Sequence, residues 1–284
     1  MTRAIIYYGD LELEIDTLGA RIMGFTDKGE EIMKTAKDEL QGYNGMVLAP
    51  WPNRIPEGKW SLEGKQYQLE INEIDRNNAL HGFAFQTEFE VTNHSDNEIH
   101  LDTVLTNTVG YPFEILLRLE YKLDSNGFSC QVHATNQSAI DAPFGIAFHP
   151  YYPVDDETQI SIPAKTHINT NDQMIPIGEE SNPHKTFRFA DVDFDDCFSE
   201  LERKNGIAEV KIESSKQLIT LWQDEAFDFV MVYTTNEFDF LQGSTQAIAI
   251  EAQSCIANAF NTNPPLLKPG ESFIGSWGLT LGGR

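Results

Sequence analysis

The sequence predicts an all-β protein, a single large antiparallel β-sandwich, on three observations. Apolar and polar side chains alternate with a period of two along nearly the whole chain. Only residues 30–41 and 178–187 lack that pattern, and both are too short or too interrupted to build a helical layer. No fixed-length repeat points to a propeller or a β-helix. With 284 residues and no recognisable linker, residues 1–284 are expected to form one domain.

Taken in order, the first expected strand is "LELEIDT", residues 11–17. Residues 59–71, "KWSLEGKQYQLEI", read as two strands joined at a Glu63-Gly64-Lys65 turn, because glycine adopts the backbone angles a tight hairpin requires. "IHLDTVLT" follows at 99–106. In "FEILLRLEYKL" the apolar Phe113, Ile115, Leu117, Leu119 and Tyr121 share one face, and Glu114, Arg118, Glu120 and Lys122 the other. That division is the mark of a half-buried antiparallel strand. "FSCQVHAT" (128–135), "QLITLWQ" (217–223), "FVMVYT" (229–234), "AIAIEAQS" (247–254) and "SFIGSWGLTL" (272–281) complete the set. This is more strand than an immunoglobulin-type sandwich needs.

Composition narrows the partners. The chain carries 44 acidic and 20 basic side chains, and a net charge of −24 repels polyanions, so nucleic acid is excluded as an expected partner. Most of these carboxylates are read as solvated surface. The N-terminus has acids where a signal peptide needs an apolar core, and no segment reaches the roughly 18 to 20 apolar residues of a membrane helix. A cytoplasmic protein without membrane contact is therefore expected. Cys130, Cys197 and Cys255 are far apart and match no zinc or redox spacing, so they are expected to be reduced and structural.

Two stretches stand out for chemistry. In "GIAFHPYY" the alternation puts Gly145, Ala147 and His149 on one face, with Ile146 and Phe148 on the other. In "AIAIEAQS" it puts Ala247, Ala249 and Glu251 together, opposite Ile248 and Ile250. A core face packed to normal density would carry larger residues at those small positions, so each polar group is expected to stand beside a hollow. Taken singly, His149 reads as a hydrogen-bonded core histidine and Glu251 as a surface acid; together they suggest one pocket. Arg54 in "PWPNRI", His81 in "NNALHGF" and the acids of "DFDDCF" are weaker signals. Alone they read as a loop arginine, a turn histidine and a polar or calcium-like acidic turn.

These residues resemble the aldose 1-epimerase, or galactose mutarotase, family over almost the whole chain. The resemblance runs through "DTLGARIMGFTDKGEEI", "PWPNRIPEGKWSLEGKQYQL", "ALHGFAF", "HPYY", "DFDDCF", "IEAQSCIANAFN" and "LLKPGESF", in that order. It implies a galactose mutarotase-like β supersandwich with a sugar-binding cleft. It also implies Glu251 as general base and His149 as general acid, with Arg54, His81 and Asp195 gripping the sugar. No cofactor and no metal are implied.

The residue types suit the reaction. Opening a cyclic hemiacetal removes a proton from the C1 hydroxyl while another reaches the ring oxygen, and one base and one acid suffice. A histidine near its usual pKa of about 6.5 is mostly neutral at pH 7, so the site is expected to hold His149 as imidazolium, with Asp195 and Glu251 as available counter-charges.

Two positions depart from the family pattern. Tyr152-Pro153 stands where a phenylalanine-asparagine pair is typical, and Ala252 follows the glutamate where proline is typical. They bear on which sugar is used. Beyond Arg54 and Arg76 no basic cluster is ready for a phosphate, so a neutral aldose is the expected small-molecule partner of a monomer or homodimer. Two other functions fit the same residues: a glycoside hydrolase using Asp195 and Glu251, and a carbohydrate-binding module without catalysis.

Overall fold

The computed structural model describes residues 2–35, 42–106, 108–238 and 246–282. Strand accounts for 57% of it and helix for 4%, as the all-β expectation required. Every strand named above from its alternation is present, and the ladders between strands are antiparallel. The hairpin is formed by Lys59–Leu62 and Lys65–Gln68, with Trp60 stacked on its cross-strand partner Tyr67.

Two large sheets dominate. A nine-stranded sheet is built around Ile115–Asp124, Gly127–Asn136 and Ser272–Gly282, and an eight-stranded sheet around Asp195–Leu201, Phe229–Thr235 and Ala247–Gln253. A four-stranded N-terminal sheet packs beside them, tied in where the Tyr121 hydroxyl donates to the Ala20 carbonyl.

One buried apolar cluster takes side chains from the inner faces of both large sheets. Leu117, Leu119, Tyr121 and Val132 come from one sheet; Ile146, Phe148, Val230, Val232, Ile248 and Ile250 come from the other. The same alternation forces the intervening residues of the eight-stranded sheet onto its second face. Among the described residues that face carries small separate clusters: Ala247 and Ala249 with Tyr151 and Phe238, Ala147 with Met46 and Leu48, and Met231 with Cys197 and Ile168.

Residues 178–187, expected to interrupt the strand pattern, instead contribute to the strands Pro176–Ser181 and Thr186–Arg188. Pro176–Ser181 lies at a sheet edge with nearly every side chain exposed, so burial imposes no alternation on it. Of the other interrupted stretch, Glu30–Met33 is also a strand, and residues 36–41 lie outside the described residues. Among the described residues no helix is long and apolar enough to cross a membrane.

Candidate active site

Register brings His149 and Glu251 together. Ala147 pairs with Gln253 and Tyr151 with Ala249, so the residues midway between, His149 and Glu251, lie directly across from one another. Pro150 has no N–H to give to a ladder, and the strand is broken there, between Ala147–Phe148 and Tyr151–Pro153. Cross-strand neighbours on one face are close enough for side chains to meet. His149 Nε2 stands 3.2 Å from Glu251 Oε1, and the two residues are 6% and 2% exposed.

Burial shifts both groups towards their neutral forms. Desolvation pushes the Glu251 carboxyl up to about 8; Asp195 adds to the shift, while a hydrogen bond from Gln253 and the charge of Arg54 oppose it. Desolvation pulls His149 down to about 4, and the Arg54 charge acts in the same direction. The expectation that Asp195 and Glu251 would hold His149 as imidazolium is therefore corrected: desolvation outweighs them.

The two titrations belong to the pair rather than to either residue. Between about pH 4 and about pH 8 the pair holds one exchangeable proton. A neutral carboxyl beside a neutral imidazole and a carboxylate beside an imidazolium are two tautomers of that single state, related by moving the proton between Oε1 and Nε2. Adjacent acid and base are thus available at neutral pH without a change in total protonation.

The remaining sequence-selected residues converge on this pair. Arg54 is buried, and its Nε and Nη2 clasp the Glu73 carboxylate at 3.0–3.1 Å. Its Nη1 reaches Asn53 Oδ1 at 3.3 Å, and its Nη2 lies 3.7 Å from Asp195 Oδ2. Asp195 opens a strand next to Phe229–Thr235, and burial pushes its carboxyl above the usual range against the pull of Arg54. With Arg54, Asn53, Met231 and Cys197 it lines a narrow crevice.

His81 sits edge-on to His149, with ring centres 5.8 Å apart. Its φ is +65°, in the left-handed region that bulky residues avoid, and Asn53 is likewise at +59°. Reciprocal bonds hold them there: the His81 N–H donates to the Asn53 carbonyl, and the Asn53 N–H donates to His81 Nδ1. Nδ1 is an acceptor, so the ring proton of neutral His81 is on Nε2. Burial keeps that ring neutral. Gly82 must lack a side chain, because a Cβ would lie 2.0 Å from the Ala49 carbonyl oxygen.

Sequence reasoning missed five neighbours. Glu73, from a loop, fixes Arg54 and in turn receives bonds from Asn78 and Arg76. Asn53 orients both His81 and Arg54. Gln253 donates to Glu251 Oε2 at 3.0 Å. Tyr43 packs against His81 and His149, and Tyr151 stacks on His149 with ring centres 5.1 Å apart. Of these, Gln253 and Tyr151 had a signal in the sequence, because Gln253 continues the Ala247, Ala249, Glu251 face and Tyr151 the Gly145, Ala147, His149 face.

Two features lie apart from the pair. A separate cavity of about 870 Å³, lined by Glu31, Lys34, Asp155, Lys216 and Gln217 among others, contains none of the five sequence-selected residues. Asp196, beside Asp195, bonds His167 at 2.6 Å. Among the described residues, no three His, Cys, Asp or Glu side chains converge as metal ligands.

Known proteins share both the sequence pattern and the fold. The aldose 1-epimerase family model matches residues 8–277. An uncharacterized Escherichia coli K12 protein, YihR, is 27% identical, with 95% of this chain and 91% of that one covered. The galactose mutarotase of Sus scrofa is 26% identical over 89% of this chain and 81% of its own. Among solved structures, a galactose mutarotase-like protein from Clostridium acetobutylicum superposes with a TM-score of 0.85, at 22% identity and 99% and 95% coverage. An Escherichia coli K12 protein described as a putative aldose 1-epimerase reaches 0.83, at 21% identity and 99% and 98% coverage.

Proposed function

The chain belongs to the aldose 1-epimerase family, and from that premise we propose that it is a cofactor-independent mutarotase interconverting the α and β anomers of a neutral aldohexose. The observation that carries this reading is the 3.2 Å contact between His149 Nε2 and Glu251 Oε1 in a buried pair holding one proton.

The two oxygens that must exchange protons, the C1 hydroxyl and the ring oxygen, are bonded to the same carbon, so a sugar can address both groups from one side. Glu251 takes the proton from the C1 hydroxyl as His149 delivers its own to the ring oxygen, and the C1 to ring-oxygen bond breaks. The open-chain aldehyde turns about C1–C2. Closure reverses both transfers and leaves the other anomer. The pair begins and ends with one proton, so a cycle needs no exchange with bulk water. Each positioned transfer is worth about 10²- to 10⁴-fold. Activity is expected between about pH 4 and about pH 8, falling on either side as the pair gains a second proton or loses its only one.

Neutral His81, with Nε2–H free to donate, and Arg54 with Asp195 are proposed to hold the sugar hydroxyls. A neutral sugar fits the charge balance. Arg54 is already engaged by Glu73, Asp195 and Asn53, and Arg76 by Glu73, while Glu251 adds a third acid to the same region. A phosphate would meet more carboxylate than available cation.

The test is polarimetry on freshly dissolved α-anomers of glucose, galactose and rarer aldoses. Faster mutarotation of at least one sugar is expected, with His149→Ala and Glu251→Gln each losing at least about 100-fold in kcat. Spontaneous rates for every sugar, alongside calorimetric binding of one of them, would replace this reading with a binding module. Hydrolysis of a glycoside that survives His149→Ala would replace it with a two-carboxylate hydrolase.

A further inference from the structure

Gln253 ends the strand that carries Glu251. Ala247, Ala249, Glu251 and Gln253 share the site face, and Ile248, Ile250 and Ala252 point into the main core. Gln253 is wholly buried, its Nε2 donates to Glu251 Oε2 at 3.0 Å, and among the described residues its Oε1 has no hydrogen-bond partner. A buried amide left half-satisfied is a poor choice for packing alone, since an apolar side chain of similar volume would fill the space without stranding an acceptor. Its amide nitrogen is turned towards Glu251 Oε2, and a carboxylate oxygen can only accept, so the amide is arranged for the carboxylate tautomer of the pair.

The two oxygens of Glu251 are thereby given different partners. Oε2 is held by Gln253, and Oε1 faces His149 Nε2. We propose that Gln253 is the positioning residue of the acid–base pair, occupying Oε2 so that Oε1 alone exchanges protons and supporting the carboxylate tautomer that the reaction needs. This deepens the mutarotase reading and rests on it for its catalytic consequence. Its electrostatic consequence stands independently of any sugar.

The other groups that act on Glu251 are His149 and Tyr151 from the neighbouring strand segment, Asp195 and Cys197 from Asp195–Leu201, and Arg54. Met231 lies across from it in register and does not titrate. Among these neighbours Gln253 and Arg54 favour the carboxylate, while Asp195 opposes it. Gln253 differs from Arg54 in being neutral, so it lowers the carboxyl without repelling the imidazolium the same step requires.

The experiment replaces Gln253 by leucine and reads two quantities. In polarimetry, Gln253→Leu is expected to lower kcat about 10- to 100-fold, the scale of one hydrogen bond to a charged group, with KM changed less than about threefold. The alkaline limb of its pH profile should move upward by about one unit. Separately, ¹⁵N NMR of the His149 ring, without sugar, should show the upper titration of the pair moved in the same direction. Gln253→Glu should recover activity towards acid pH, where the introduced carboxyl is protonated and can donate. Should Gln253→Leu not fold, Gln253→Met removes the same donor on an unbranched chain. An unmoved NMR midpoint overturns the proposal whatever the activity. A moved midpoint in a protein that accelerates no aldose keeps Gln253 as the residue that sets the pair's protonation and discards the mutarotase reading alone.

Discussion

At the scale of single residues, the site depends on what burial does to two titratable groups, and the consequence for stability has a definite sign. Glu251 titrates near 4.5 when unfolded and near 8 in the folded protein. Its contribution to stability is therefore fully present below about pH 4.5 and is lost as pH rises towards 8. His149 runs the other way, from 6.5 unfolded to about 4 folded, so its contribution is present above 6.5 and lost as pH falls towards 4. From pH 6.5 to 8 the folded pair still holds one proton that the unfolded chain has released, so the pair should cost about 1.4 kcal/mol per pH unit. Chemical denaturation of wild type and Glu251→Gln across that window checks it: wild type should lose about 2 kcal/mol relative to the variant, and a constant difference would mean that Glu251 ionises as freely folded as unfolded. The small residues before His149 and Glu251 were legible because an unfilled face is a local property of sequence. Glu73 was not. It lies 19 residues from Arg54 in a loop, and only the tertiary fold brings it to within 3.0 Å.

At the scale of elements, strands were legible wherever one face is buried, because burial writes the alternation into the sequence. Pro176–Ser181, exposed on an edge, carries no such signature. Nor does register: the alternation put His149 and Glu251 on site faces, but pairing Ala147 with Gln253 and Tyr151 with Ala249 is what sets them opposite. Two turn glycines separate backbone strain from steric conflict. Gly64, at φ +80° in the hairpin turn, has no atom within 4 Å of where an added methyl would sit, so Gly64→Ala costs only the left-handed backbone, about 1 kcal/mol. Gly82→Ala carries a similar backbone cost, and its methyl would also collide with the Ala49–Pro50 backbone directly behind His81. Thermal unfolding with sugar assays should find Gly64→Ala slightly less stable and fully active, and Gly82→Ala markedly less stable and impaired. Equal losses in the two variants would contradict the collision.

At the scale of the whole molecule, the −24 charge is a property that no packing argument absorbs. Even if every basic side chain paired with an acid, 24 carboxylates would remain without a cationic partner. Folding gathers them into a smaller volume than the open chain occupies, so their mutual repulsion opposes the compact state. Many lie on solvated faces, as with Glu12 and Glu90 on their strands, where salt reaches them directly. Raising sodium chloride from about 0.01 M to about 0.15 M shortens the screening length from roughly 30 Å to roughly 8 Å, below the distance across a sheet of this size. The melting temperature should therefore rise with salt, by about 2 to 4 °C for each kcal/mol of repulsion removed in a chain of this length. Surface ion pairs such as Arg188 with Asp191 weaken under the same screening, but exposed pairs contribute little. Calorimetry over that salt range decides between the two effects. A melting temperature that falls would mean the pairs outweigh the repulsion, and that the acidic excess is held in a network rather than scattered over solvated strands.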